Sequence, residues 1–123
     1  MKPKGFLAAF VLVAGVAVIL WQTKPVGEEG LQKKIQAVDR AKEQATQMNL
    51  KALQREIVMY ISEYGRAPEN LKQFLQNARL MTGDEDAWGI PVQYKRISDD
   101  SFQLISAGND REFDTSDDIV LKY

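Results

Sequence analysis

The residues with the clearest capacity for chemistry are the acidic side chains of residues 106–119. Five carboxylates lie within nine positions, and one basic side chain, Arg111, offsets them. Such a cluster repels itself unless water or a cation intervenes. Because Ca²⁺ takes several oxygen ligands from flexible, carboxylate-rich loops, a calcium site is one interpretation, and a solvated acidic turn is the other. The five acids are Asp110, Glu112, Asp114, Asp117 and Asp118.

Composition restricts the chemistry available elsewhere. The chain has no cysteine and no histidine, which excludes disulfides and thiol catalysis and removes the commonest general base and transition-metal ligand. A second group of acids, at residues 84–86, is expected in one exposed loop without a nucleophile or an apolar pocket. Lys95 and Arg96 adjoin a strand and are expected to pair with these acids. We assign no catalytic residue and expect a protein that is not an enzyme.

The charges are unevenly distributed along the 123 residues, which are enough for one folded domain. Residues 1–83 hold 12 basic and 7 acidic side chains, whereas residues 84–123 hold 4 basic and 10 acidic ones. This asymmetry favours contacts between copies of the chain. It gives no support to nucleic-acid binding, since no basic face is interleaved with aromatic residues.

An apolar segment follows a short basic leader, residues 1–5. The uncharged run at residues 5–21 is 17 residues long, or about 25 Å as a helix, at the lower limit for crossing a bilayer. Trp21 lies where an interfacial aromatic is expected, and the leading lysines keep the N-terminus cytoplasmic. A secretory signal peptide is the alternative. A retained anchor is favoured because no small-x-small cleavage site follows the run.

A long amphipathic helix is predicted for residues 31–64, after a breaker cluster at residues 25–30. A coiled coil is the alternative, but the apolar stripe does not keep a strict heptad. Residues 50–64 are expected to lie against the core, whereas the first half of the helix is expected to stay exposed or to contact neighbouring copies. Gly65 is expected to end the helix. The stripe consists of Leu31, Ile35, Val38, Ala45, Met48, Ala52, Leu53, Ile57, Tyr60, Ile61 and Tyr64.

The C-terminal half predicts a short helix and a small antiparallel sheet. Pro68 and Glu69 open the helix, whose buried face is Leu71, Phe74 and Leu75. A polar loop at residues 81–89 follows, with Trp88 as a core anchor beneath it. Strands are predicted at residues 91–97, 101–106 and 119–123. The expected fold class is α+β, with the sheet packed on the second half of the long helix.

The order of these parts resembles the type IV pilin-like family. Residues 86–94, DAWGIPVQY, resemble the D-P-W-G-x-P-Y-x-Y stretch of the major pseudopilin of type II secretion systems. Residues 102–119 resemble that family's strand, its S-x-G-x-D motif and its T-x-D-D-I ending, and residues 68–71 resemble its Y-P-x-x-L helix start. The resemblance implies a pilin-like fold whose globular domain, residues 31–123, is periplasmic.

The resemblance also implies a calcium site in the acidic loop. Asp110 and Asp117 match the two aspartates that ligate Ca²⁺ through side chains in the family. Main-chain carbonyls complete the family's shell, and their positions correspond to Ala107, Glu112 and Asp118. Glycines of the family's loop are replaced here by Glu112 and Asp114, and the alternative is that one of these two carboxylates adds a side-chain oxygen to the shell.

The N-terminus resembles the family in one respect and departs from it in another. Gly5 and Phe6 resemble the prepilin peptidase site, which implies cleavage after Gly5 and methylation of the new Phe6 amine. Phe10 occupies the position of the family's glutamate, which is thought to pair with the N-terminal amine of the adjacent subunit. Phe6, Phe10 and Trp21 are the residues assigned to the membrane segment, residues 6–24.

These features predict a structural subunit of a type II secretion or related pilus-like filament. The expected partners are other copies, related pseudopilins and the secretion platform of the bacterial inner membrane, where the chain is a single-pass protein before assembly. Filament extension would move folded proteins across the outer membrane. The alternative, which Phe10 permits, is a membrane-tethered periplasmic calcium-binding module that does not polymerise, or an accessory or cap subunit.

Overall fold

The computed structural model describes residues 27–78 and 83–123. The chain divides into two compact units, Met1–Gln36 and Ala37–Tyr123. The leader, the apolar run and the residues assigned to them, Gly5, Phe6, Phe10 and Trp21, lie outside the described residues. No helix within the two described ranges combines the length and the apolar composition needed to cross a bilayer.

Helix α1 is 37 residues long and spans Glu28–Tyr64. It begins three residues before the predicted start, because the Gly27 carbonyl accepts hydrogen bonds from the amides of Gly30 (2.8 Å) and Leu31 (3.1 Å). Acidic residues in the first turn suit the positive end of the helix dipole. The helix ends as predicted at Gly65, whose φ of 74° places it in the left-handed region.

One stripe of α1 is buried, and it lies in the Ala37–Tyr123 unit. Its members, Thr46, Leu50, Leu53 and Ile57, recur at spacings of four, three and four, as one face of a helix requires. Met48 lies in the half of the apolar stripe that was expected to stay exposed or to contact neighbouring copies, and it is 72% exposed. Met48 precedes the buried Leu50 by two residues, which is about 200° around the helix axis, so Met48 points away from the core.

Helix α2 spans Leu71–Ala78 and starts later than predicted. The side-chain oxygen of Asn70 accepts a hydrogen bond from the Gln73 amide at 3.1 Å and so caps the first turn. Pro68 therefore lies in the segment that enters the helix rather than in the helix itself. The predicted buried face, Leu71, Phe74 and Leu75, is confirmed.

Three antiparallel strands form a sheet in the order β1-β2-β3. The strands are β1 (Gln93–Arg96), β2 (Phe102–Ser106) and β3 (Ile119–Lys122), and each lies within a predicted segment. The register places Tyr94, Leu104 and Leu121 in one row across the sheet. Because alternate residues of a strand point to opposite faces, this row faces the core and the neighbouring row, Gln93, Ile105 and Val120, lies on the other face.

A single hydrophobic cluster joins the two helices to the sheet within the Ala37–Tyr123 unit. Each fully buried aliphatic or aromatic side chain contributes about 1.5–3 kcal/mol to folding. The described chain is therefore α+β, as predicted. The buried members are Leu50, Leu53, Ile57, Leu71, Phe74, Leu75, Val92, Phe102 and Leu104.

Tyr94 fixes β1 to the connection between the helices. Its hydroxyl donates a hydrogen bond of 2.6 Å to the Pro68 carbonyl. Burial raises the pKa of Tyr94 to about 12, although the nearby charge of Arg96 opposes the shift. The folded chain thus keeps the phenol protonated in a pH range where an exposed tyrosine ionises.

We expect this hydrogen bond to make folding stability depend on alkaline pH. A tyrosine of the unfolded chain ionises near pH 10, so the contribution of Tyr94 is complete below pH 10 and is lost as pH rises through about 12. Tyr94→Phe should lose about 1 kcal/mol at neutral pH and should flatten the alkaline decline. Urea unfolding of the full chain at several pH values measures both effects.

The matched control is Tyr64→Phe, because Tyr64 is exposed and its hydroxyl is not part of this contact. An alkaline decline in Tyr94→Phe equal to that of the parent chain would contradict the assignment.

Candidate functional site

The acidic loop connects β2 to β3 and contains every residue predicted to bind calcium. Ala107 is fully buried at the start of the loop, and Asp118 is half-buried at its end. Asp110, Glu112 and Asp117 are exposed. The loop therefore has a buried base and a solvated tip.

The two ends of the loop touch. Gly108 has a φ of 73°, and a methyl group on it would lie 2.1 Å from the Asp117 carbonyl oxygen. Only glycine has both the backbone freedom and the lack of a side chain that this contact requires. Arg111 and Asp114 also have positive φ values, of 61° and 66°, so the chain turns sharply twice more between the two ends.

Carboxylates of the loop organise its backbone. An Asp110 carboxylate oxygen accepts the Glu112 amide at 3.0 Å, and an Asp118 carboxylate oxygen accepts the Asp114 amide at 2.9 Å. The Thr115 hydroxyl donates to the Glu112 carbonyl at 3.2 Å. The bond between Asp110 and the amide two residues later is typical of an Asx turn. They hold the loop in one conformation while leaving the Asp117 carboxylate exposed.

Hydrogen bonds around Asp110 favour the ionised form of its carboxyl group. The Thr115 hydroxyl, and then the Glu112 amide, hold the pKa of the Asp110 carboxyl below its usual range. Hydrogen bonds to the charged form are the cause. These hydrogen bonds favour the ionised form of Asp110, which is the form that ligates a hard cation.

A depression of about 360 Å³ lies beside the loop, and helix α1 supplies part of its acidic wall. Asp117, Asp118 and Trp88 line it together with Asp39 and Glu43. Reasoning from the sequence missed the two helical acids. Their spacing of four residues puts them on one face of α1, but nothing in the sequence indicates that this face meets the loop.

The side chains alone do not form a metal-binding cluster. Among residues 27–78 and 83–123, no group of three or more Asp or Glu residues is arranged so that it could hold a metal ion. Calcium shells also use main-chain carbonyls and water. The donor set predicted from the sequence combines the carboxylates of Asp110 and Asp117 with the carbonyls of Ala107, Glu112 and Asp118, and it stays a prediction.

Asp86 is the main residue that sequence reasoning misplaced. It was expected in an exposed loop, but it is only 7% exposed. One carboxylate oxygen accepts the amides of Trp88 (3.0 Å) and Ile90 (2.9 Å), and the other accepts the Ser106 hydroxyl at 2.7 Å. These three donors compensate the burial of the carboxylate. An aspartate two residues before an apolar residue in a turn is the signal that could have revealed it.

The Asp86 network continues into the acidic loop and into α1. The Ser106 hydroxyl oxygen accepts the Gly108 amide at 3.2 Å. On the other side, the Thr46 hydroxyl of α1 accepts the Ala87 amide at 3.1 Å. The carboxylate of Asp86 thus connects the 84–92 segment to the base of the loop, and Thr46 holds the same segment on the helix.

Trp88 belongs to this segment. Its predicted burial is confirmed, since it is 9% exposed. Its indole ring forms part of the wall of the depression beside Asp117. Its indole nitrogen is buried without a hydrogen-bond partner in the part of the chain that the structure describes. Trp88 therefore contributes packing area rather than a bond to the loop.

The predicted pairing of Lys95 and Arg96 with the acids of residues 84–86 is wrong for Arg96. Its guanidinium contacts the carboxylate of Asp99 and lies 4.0 Å from that of Glu69. The tight turn between β1 and β2 brings Asp99 back beside the end of β1, so this local partner is nearer than Asp84 or Glu85.

Comparisons with models of protein families, with curated proteins and with solved structures found no match. Family and function therefore rest on the residues and contacts of the chain itself.

Removing the Asp86 carboxylate should destabilise the fold strongly. Asp86→Ala leaves the amides of Trp88 and Ile90 and the hydroxyl of Ser106 without their acceptor, so we expect a loss of about 3 kcal/mol. Glu85→Ala is the control, because Glu85 is adjacent and exposed, and it should cost less than about 0.5 kcal/mol. Chemical denaturation followed by circular dichroism measures both. Equal stability of the two variants would contradict the role of the network.

Proposed function

We propose that the protein is a pseudopilin-like structural subunit of a type II secretion or related pilus-like filament. The observation that carries the proposal is the 2.7 Å hydrogen bond between Asp86 and Ser106. Asp86 begins the stretch at residues 86–94, and Ser106 begins the S-x-G-x-D motif within residues 102–119, and both stretches resemble the major pseudopilin. A bond between the first residues of both motifs gives their joint presence in one chain a structural reason.

The α+β architecture supports the same proposal. A long helix precedes a short helix and a three-stranded antiparallel sheet, which is the order of elements that the resemblance implies. The sheet packs on the second half of α1 through Leu50, Leu53 and Ile57. The first half of α1 has exposed apolar side chains, Leu31, Ile35 and Val38, which suit contacts with neighbouring subunits.

In the proposed mechanism the chain first resides in the bacterial inner membrane, with residues 6–24 as its anchor and the C-terminal domain in the periplasm. The secretion platform then assembles copies of it, with related pseudopilins, into a filament. The apolar segments fill the filament core and the sheets face outward. Extension of the filament pushes folded proteins towards the outer membrane.

Ca²⁺ has a structural task in this proposal. Asp110 and Asp117 would ligate through carboxylates, and Ala107, Glu112 and Asp118 through main-chain carbonyls. A bound cation would offset the mutual repulsion of the loop's acids and the charges of Asp39 and Glu43 beside it.

A second candidate function is a membrane-tethered calcium-binding module, or an accessory or cap subunit, that does not polymerise. Phe10 favours it, because a carboxylate at that position would pair with the amine of a neighbour and phenylalanine cannot. An unpaired amine in hydrocarbon is costly. The two candidates share the calcium loop and differ in what the N-terminus does.

Calcium should stabilise the chain through Asp117. We expect Ca²⁺ to raise the melting temperature of the full chain in neutral detergent, relative to a chelator, because it binds the folded state. Asp117→Ala should abolish the increase, since the exposed carboxylate is lost while the internal bonds of the loop are kept. Differential scanning calorimetry with Ca²⁺ and with chelator measures the effect.

The control is Glu69→Ala, which removes an exposed acid outside the loop. It should respond to Ca²⁺ as the parent does. An equal response in Asp117→Ala and the parent would exclude Asp117 as a ligand.

The N-terminus decides between the two candidate functions. If the chain is a filament subunit, mass spectrometry of the membrane-extracted protein should show removal of residues 1–5 and a methylated Phe6. Cysteines introduced at Leu31 and Val38 should then crosslink neighbouring copies in cells that express the secretion machinery. An intact N-terminus without crosslinks would support the tethered module, and Phe10→Glu should then increase crosslinking if the missing carboxylate is the cause.

A further inference from the structure

A groove of about 480 Å³ lies between the C-terminal end of α1 and helix α2. Residues 56–64 form one wall, and residues 66–78 form the other wall and the end. The volume is within the range of about 300–1,000 Å³ that is typical of ligand sites. None of the proposed calcium ligands lines it.

Aromatic rings form the floor of the groove. The rings of Tyr60 and Tyr64 lie 4.5 Å apart at an angle of 34°. Tyr60 also meets Phe74 edge to face, with ring centroids 5.3 Å apart. Tyr64 is 60% exposed, so part of its ring face is open to a ligand. Phe74 restrains the ring of Tyr60, and the ring of Tyr60 in turn restrains that of Tyr64.

Carboxylates surround this floor. Glu56 lies one turn before Tyr60 and Glu63 lies one turn after it, on the same face of α1. Glu69 lies across the groove, and Arg96 at 4.0 Å offsets part of its charge. Arg66 is a basic residue of the lining. The net charge of the lining is negative, which repels phosphate groups and therefore disfavours nucleic acids and anionic lipid surfaces.

We propose that this groove binds an arginine side chain from an extended segment of a partner protein. Arginine suits both features of the groove, because its guanidinium stacks on aromatic faces and donates paired hydrogen bonds to carboxylates. Tyr64 would supply the ring face, and Glu63, which lines the same groove, would supply a carboxylate. Apolar residues beside the arginine would contact Met59 and Phe74.

This inference goes beyond the proposed function and does not depend on it. A filament subunit and a tethered module would each gain a contact site for another protein, at a surface separate from the calcium loop. The groove is formed by the helices of the Ala37–Tyr123 unit, so it does not require any contact of the N-terminal segment.

The test is a titration of the full chain, in neutral detergent, with a capped Gly-Leu-Arg-Leu-Arg-Gly peptide. Heteronuclear NMR of the aromatic rings follows binding, because the signals of Tyr64 and Phe74 should shift and saturate. The same peptide with glutamine in place of arginine should bind about ten-fold more weakly. Added salt should weaken the arginine peptide more than the glutamine peptide.

Three variants distinguish the contribution of the Tyr64 ring to peptide binding from that of the Glu63 carboxylate. Tyr64→Phe keeps an aromatic face and should bind as the parent does, whereas Tyr64→Leu should bind about five-fold more weakly. Glu63→Gln should weaken binding about three-fold. Glu29→Gln, an exposed acid in the first turn of α1, is the matched control and should have no effect. Circular dichroism verifies that each variant is folded.

The proposal would be overturned by equal binding of the arginine and glutamine peptides, or by unchanged binding in Tyr64→Leu. It would also be overturned by shifts that do not saturate. Self-association of the chain that Glu63→Gln abolishes, without affinity for the arginine peptide, would identify a second copy as the occupant and would reject a partner segment.

Discussion

The buried carboxylate of Asp86 is the constraint on which the rest of the structure depends. It accepts three hydrogen bonds, two from the turn that follows it and one from Ser106 at the end of β2. A carboxylate without such partners would not remain buried, because removal of a charge from water is costly. The turn at residues 86–90 and the end of the central strand must therefore form together, and each fixes the position of the other.

This arrangement explains how a small sheet supports a highly acidic loop. The Ser106 hydroxyl also accepts the Gly108 amide at the start of the loop. The Thr46 hydroxyl accepts the Ala87 amide and so holds the turn at residues 86–90 on the long helix. The base of the loop is thus connected to both layers of the fold, whereas its tip is solvated and organised by its own carboxylates. A cation proposed for the loop would join this base, through the carbonyls of Ala107 and Asp118, to the exposed carboxylates of Asp110 and Asp117.

The sequence predicted the elements better than it predicted the contacts between them. Period-3.6 and period-2 patterns located α1, α2 and the three strands to within a few residues, and Gly65 and Trp88 have the roles expected of them. Asp86 was misplaced because a charged residue in a polar stretch looks exposed until its hydrogen-bond donors are known. Asp39 and Glu43 were missed because only the packing of α1 brings them beside Asp117. The groove at Tyr64 likewise depends on how α2 lies against α1, which neither helix indicates alone.

The backbone of Gly108 lies close against the Asp117 carbonyl, with no room for a side chain between them. Because the chain closes on itself at these two positions, the residues between them form a ring whose ends do not move when its contents change. Loop-closure entropy grows slowly, by about 0.6 kcal/mol for each doubling of length. Lengthening the segment between the proposed ligands Glu112 and Asp117 should therefore cost little entropy, and the strands on either side should keep their register.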